Sequence, residues 1–159
     1  MKALVLVSVL SIAVWTQVYS VGTSSGGSSS SSGGATVSSN PTTAADWYNA
    51  GYRLSQSDKY DEAIQDFKKA IALNANYAEA YNMLGYCTRK LGRVAEAFGY
   101  YDKALSLKPN FPEAREYYGE AYLQSGDLTK AVQQYVILQK AGNKNAKELL
   151  EKIDEYVNR

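Results

Sequence analysis

Residues 78–111 read AEAYNMLGYCTRKLGRVAEAFGYYDKALSLKPNF, and three of these residues return at a spacing of 34 on both sides. Gly85 is matched by Gly51 and Gly119, Ala97 by Ala63 and Ala131, and Tyr101 by Phe67 and Tyr135. A unit of this length is too short to bury its own apolar face, so stacked copies must share one continuous core. Gly85 and Ala97 lie 12 apart, a spacing that lets two antiparallel helices cross where larger side chains would collide. The aromatic four residues after each alanine falls on the same helix face and fills the space beside the crossing.

Working outward, apolar and small residues recur at helical spacing over 44–56, 60–73, 78–90, 94–107, 112–124 and 128–140. Breaks fall at Ser57-Asp58-Lys59, Leu91-Gly92-Arg93 and Ser125-Gly126-Asp127, which predicts six helices in three hairpins. Asn76 with Glu79, and Asn110 with Glu113, have the spacing of a capping box ahead of a helix, and Pro112 suits a first helical turn. After Gly142-Asn143, the segment Ala146–Val157 gathers Leu149, Leu150, Ile153 and Val157 on one face, which predicts an amphipathic helix closing the stack.

These positions resemble the tetratricopeptide repeat family, whose pattern runs Trp, Leu-Gly, Tyr, Ala, Phe, Ala, Pro. In residues 44–77 the matches are Trp47, Gly51, Leu54, Ala63, Phe67 and Ala70, with departures at Ala50 and Ala75. In residues 78–111 they are Tyr81, Leu84, Gly85, Ala97, Tyr101, Ala104 and Pro109, with a departure at Thr88. In residues 112–145 they are Tyr118, Gly119, Tyr122, Ala131 and Tyr135, with departures at Arg115, Leu138 and Asn143. The resemblance implies an all-α, right-handed solenoid of three helix hairpins plus a capping helix at 146–159.

The beginning of the chain has another character. Met1-Lys2 is a short positive segment, Ala3–Trp15 is apolar, and Val18-Tyr19-Ser20 offers small residues where a signal peptidase inspects them. Residues 1–20 are expected to act as a signal peptide cleaved after Ser20, the alternative being an uncleaved anchor. The expected location is exported, periplasmic or secreted, or tethered to a membrane if the leader stays. Residues 21–43 are dominated by Ser, Gly and Thr, a composition expected to form a disordered linker.

Composition removes several classes of chemistry. The chain has no His, hence no usual general base, no Ser-His dyad and not the commonest zinc ligand, so an enzyme is not expected. No pattern announces a cofactor or a metal. The single cysteine, Cys87, falls inside a helix at the place Ala121 holds in the next unit, and is expected to be a buried small hydrophobe. With 17 Lys plus Arg against 16 Asp plus Glu there is no basic field to attract nucleic acid.

Tyrosine is the unusual residue: there are 14. Its large rigid ring and polar tip suit binding surfaces as well as cores. The family resemblance implies that the first helix of each hairpin lines a concave groove. It places there Tyr48, Asn49, Tyr52, Asn82, Met83, Tyr86, Arg89, Glu116, Tyr117 and Glu120, whereas Tyr81, Tyr101, Tyr118, Tyr122 and Tyr135 take packing positions. The family's carboxylate-gripping pocket uses Lys, Asn and Arg, and here Tyr48, Tyr52, Met83, Glu113 and Tyr117 stand in those places. The third unit adds Glu113, Glu116 and Glu120 to one helix, which suits a ligand with a basic end. The expectation is a scaffold binding another protein or a peptide segment, the alternatives being a solvated face without a ligand and self-assembly into a homo-oligomer.

Overall fold

The computed structural model describes residues 41–159; the leader and most of the linker lie outside them. Seven helices follow in order: α1 (Ala44–Gln56), α2 (Tyr60–Leu73), α3 (Ala78–Lys90), α4 (Val94–Leu107), α5 (Pro112–Gln124), α6 (Leu128–Lys140) and α7 (Asn145–Val157). The first six occupy the residues that periodicity assigned, and α7 begins one residue earlier than expected. Helices α1–α2, α3–α4 and α5–α6 are antiparallel hairpins, and α7 packs on both α5 and α6. No helix among the described residues is long and apolar enough to cross a membrane.

The close crossing is visible at Gly85. A β-carbon there would lie 2.6 Å from Tyr101 Cε1, so the hydrogen of glycine is what admits the ring. Phe67 and Tyr101 are fully buried beside these crossings, each contributing about 2 kcal/mol through its apolar surface. Gly119 differs from its counterparts: its missing β-carbon is faced by Leu149 of α7. Tyr101 and Tyr118 are buried as expected, while Tyr81, Tyr122 and Tyr135 are half-buried at the edges of apolar clusters. Cys87 is fully buried, and burial pushes its thiol up to about 12.

The hairpin turns reuse one backbone device. Gly92 and Gly126 have φ of 79° and 85°, and Asp58, 34 residues before Gly92, adopts φ 57° without being glycine. The expected capping boxes at Asn76 and Asn110 are absent. The N-cap seats belong to Tyr77 and Phe111, neither of which makes a side-chain cap. The physical reason is packing: Tyr77 lies 5.1 Å from the Tyr48 ring, and Phe111 is buried with Ala78, Ala104 and Ala114. Glu79, freed from capping, takes an ion pair from Lys108 at 2.7 Å. The capping box that does form is Thr43 with Asp46, at the start of α1.

Curvature follows from which helices touch. α1 packs on α3, and α3 on α5, whereas among the described residues no α-carbons of α2 and α4, or of α4 and α6, come within 8 Å of each other. The stack is tighter on the first-helix side, which therefore lines the concave face. Helix α7 continues the period, since Ala146 follows Pro112 by 34, and it takes the seat of a fourth first helix. In that register Ile153 stands where Gly51, Gly85 and Gly119 stand, and it is buried.

Candidate functional site

Helix geometry decides which side chains reach the concave face. Residues four apart share a stripe. Tyr48 and Tyr52 in α1 therefore correspond to Asn82 and Tyr86 in α3, and to Glu116 and Glu120 in α5. The ring centroids of Tyr48 and Tyr52 are 6.3 Å apart, and those of Tyr86 and Tyr117 are 5.1 Å apart. Tyr60 of α2 reaches Tyr86 edge-on at 6.2 Å. Tyr52 is 44% exposed, while Tyr48, Tyr86 and Tyr117 are half-buried. Burial pushes the phenols of Tyr48 and Tyr117 up to about 12, so both stay neutral hydrogen-bonding groups at ordinary pH.

The remaining expected groove residues divide. Asn49 is exposed. Met83 is buried in the core cluster with Ala63, Ile64, Phe67, Leu84 and Cys87. One residue beyond Asn82 turns the side chain about 100° around the helix, and Met83 then shares its stripe with the fully buried Cys87. Arg89 is buried and forms an ion pair with Glu120 at 2.7 Å. The pair ties α3 to α5, and removing one partner would leave a largely desolvated charge.

Glu116 is buried on α5 and accepts a hydrogen bond from Asn145 Nδ2 at the first turn of α7. Burial is the main cause that lifts its carboxyl to about 7; Glu148 of α7 and Glu120 of its own helix add to the rise, against the Asn145 hydrogen bond. Asn82, 4% exposed, leaves its Oδ1 without a partner.

Sequence reasoning treated α7 only as a cap. The structure opens a cavity of about 220 Å³ between α3, α5 and α7, with Arg89, Glu120, Leu123 and Gln124 on one side. Lys152, Glu155, Tyr156 and Arg159 form the other. The repeat phase does not announce Lys152, Glu155 and Tyr156, since 34 residues earlier stand Tyr118, Ala121 and Tyr122, which pack in the core; only the placement of α7 against α5 brings them to this cavity.

Family models for the tetratricopeptide repeat match residues 48–112 and 88–153. The chain belongs to the tetratricopeptide repeat family. Among solved structures, that of MamA is 33% identical over 74% of this chain and 64% of MamA, with a TM-score of 0.57. This tetratricopeptide repeat chain therefore spans less than two thirds of MamA's length. The first repeat domain of Spaghetti (RPAP3), bound to the HSP90 peptide SRMEEVD, is 21% identical, with 77% and 99% of the two chains covered and a TM-score of 0.64. The Yersinia enterocolitica type III secretion chaperone SycD, in complex with a peptide of the translocator YopD, is 22% identical, with 72% and 88% covered and a TM-score of 0.62. At these identities the latter two share the fold and no more. No curated protein matches the sequence.

Proposed function

We propose that this protein is a non-enzymatic interaction scaffold that binds a peptide segment of another protein in the concave groove. The observation that carries this reading is the aromatic row on the first helices: Tyr52, exposed on α1, and Tyr86 and Tyr117, half-buried and in ring contact across α3 and α5. Such rings offer contact area with little rotamer entropy to lose, and a rigid helical stack orders little on binding. Modest contacts then yield affinity in the micromolar range, about −8 kcal/mol. The peptide complexes of the RPAP3 domain and of SycD support the reading by showing that this fold accommodates such ligands.

We place the scaffold in the exported or envelope compartment, on the support of Met1-Lys2, the apolar run Ala3–Trp15 and the small residues around Ser20. N-terminal sequencing of the exported form should begin near Val21; an intact Met1 would make it a tethered protein instead.

The test is a crosslinked pull-down comparing the wild-type chain with a Tyr52→Ala, Tyr86→Ala, Tyr117→Ala variant whose helicity is verified by circular dichroism. A partner captured by wild type and lost by the variant supports the groove. Equal capture by both moves the site to another face, and recovery of the chain alone favours self-association.

A further inference from the structure

One place in the repeat holds a ring in two units and is open in the third. The fourth residue of each unit is Trp47, Tyr81 and Arg115, and the residue 22 positions on, in the second helix, is Lys69, Lys103 and Ile137. Lys69 lies over the Trp47 ring at 3.7 Å and Lys103 over the Tyr81 ring at 5.9 Å, so both units pair a ring with a cation across the hairpin. Tyr81 also packs on the cluster that holds Ala104, together with Leu107. The counterparts of Ala104 and Leu107 in the third unit are Leu138 and Ala141. There the structure leaves a cavity of about 240 Å³, which these two line with Phe111, Pro112, Arg115 and Ile137. All three residues at which this unit departs from the family pattern, Arg115, Leu138 and Asn143, border it. Leu138 belongs to the buried cluster of Ala146 and Leu149 and does not close the space, and Ile137 is 42% exposed. Arg115 is anchored by Nη1 donating to Gln134 Oε1 at 3.3 Å and Nη2 donating to the Pro109 carbonyl at 2.9 Å. Among the described residues no carboxylate pairs with Arg115 and no ring lies against it. The third unit thus keeps a cation and lacks the ring.

We propose that this pocket on α5–α6 seats a Trp or Tyr side chain of a partner protein, stacked on Arg115 and packed against Ile137 and Leu138. Shape supports that occupant, because the chain itself places Trp47 and Tyr81 at the corresponding position of the other two units. Charge supports it as well. The negative face of an aromatic ring complements a guanidinium, and no carboxylate lines the cavity to call for a cation instead. A planar guanidinium can stack on a ring while its in-plane N–H donors keep the bonds to Gln134 and Pro109. Covering Ile137 adds the release of water from apolar surface. The pocket shares no residue with the aromatic row of the groove or with the cavity beside α7, so this attachment point is independent of the groove reading.

The probes are N-acetyltryptophanamide and N-acetylleucinamide, titrated into the full chain labelled at its Ile, Leu and Val methyl groups and followed by NMR. The tryptophan probe is expected to shift the Ile137 and Leu138 methyls through its ring current and to bind about fivefold more tightly than the leucine probe. Arg115→Tyr, which supplies the ring from within, is expected to weaken tryptophan-probe binding about tenfold, with helicity unchanged by circular dichroism. Arg115→Ala leaves the cavity open without the cation and is expected to level the two probes. No shift at Ile137, equal binding of both probes to wild type, or full binding by the Arg115→Tyr variant would overturn the proposal. So would contacts of Ile137 with Trp15 before any probe is added, or Ile137 shifts that grow with protein concentration, since the seat would then belong to the chain's own leader or to a second copy.

Discussion

Tyr48 against Tyr77 and Glu116 against Asn145 are one joint built twice. In each, the fifth residue of a unit, on the unit's first helix, covers the residue 29 positions later, where the next first helix begins. The first joint is a pair of rings 5.1 Å apart, and the second is a desolvated carboxylate held by an amide. Repeat geometry therefore decides that a side chain will be seated there, and leaves its chemistry open. The consequence is electrostatic. The Tyr48 phenol, pushed up to about 12, is silent across ordinary pH, whereas the Glu116 carboxyl, at about 7, titrates within it.

The comparison breaks most severely if the helix crossings beneath the joints are blocked. Gly85→Ala puts a β-carbon 2.6 Å from the rigid Tyr101 ring, and a loss of about 3 kcal/mol in denaturant stability is expected. Gly119→Ala meets Leu149 Cδ2 at 2.5 Å, the movable end of a side chain, and should cost about half as much. Equal losses would mean that α7 is as unyielding as a hairpin partner.

Titration sharpens the contrast next. Glu116 holds its proton more tightly folded than unfolded, its carboxyl being raised from the ordinary 4.5 to about 7. The folded state therefore carries more protons between those pH values, and stability falls as pH rises through that window. The groups governing this are Asn145 and Glu148 on α7 and Glu120 on α5, the last held by Arg89 of α3. Glu116→Gln should flatten the slope and stabilise the protein at pH 8 by about 2 kcal/mol. Urea melts at pH 5 and pH 8 would show it, and an unchanged slope would remove Glu116 as its source. Tyr48→Phe is expected to leave the pH profile between 5 and 9 as it is.

The smallest effect concerns another seat shared by different residues. Asp58 holds φ 57° where Gly92 and Gly126 stand one and two periods on, and its carboxylate accepts the Tyr60 hydroxyl. Asp58→Gly relieves the backbone and loses that bond, for an expected net gain of about 0.5 kcal/mol in a thermal melt. A net loss would rank the Tyr60 contact above the backbone strain.

Much of this was legible beforehand because helices and their crossings depend on spacing. Gly85 with Ala97 and Tyr101 announces a hairpin whatever surrounds it, and the breaks at 57–59, 91–93 and 125–127 coincide with the turns observed. The groove was legible only in part. Tyr52, Tyr86 and Tyr117 follow from the phase, but Met83 is a groove residue by register and a core residue by burial. One step along a helix is too small a difference for composition to resolve. Asn76 and Asn110 have the spacing of caps, yet the aromatic residues after them take the N-cap seats because they are needed between repeats.

By itself, then, the sequence determined that three hairpins stack, where each helix begins and ends to within a residue, and which face carries the tyrosines, because these follow from local periodicity and from the absence of a side chain at glycine. Only the tertiary structure decided that Arg89 is spent on Glu120, that Glu116 is desolvated beneath Asn145, and that α7 borders the groove. Those outcomes depend on residues about 30 or more positions apart meeting across helices, and the charge and water around a side chain are set by such neighbours rather than by its place in the period.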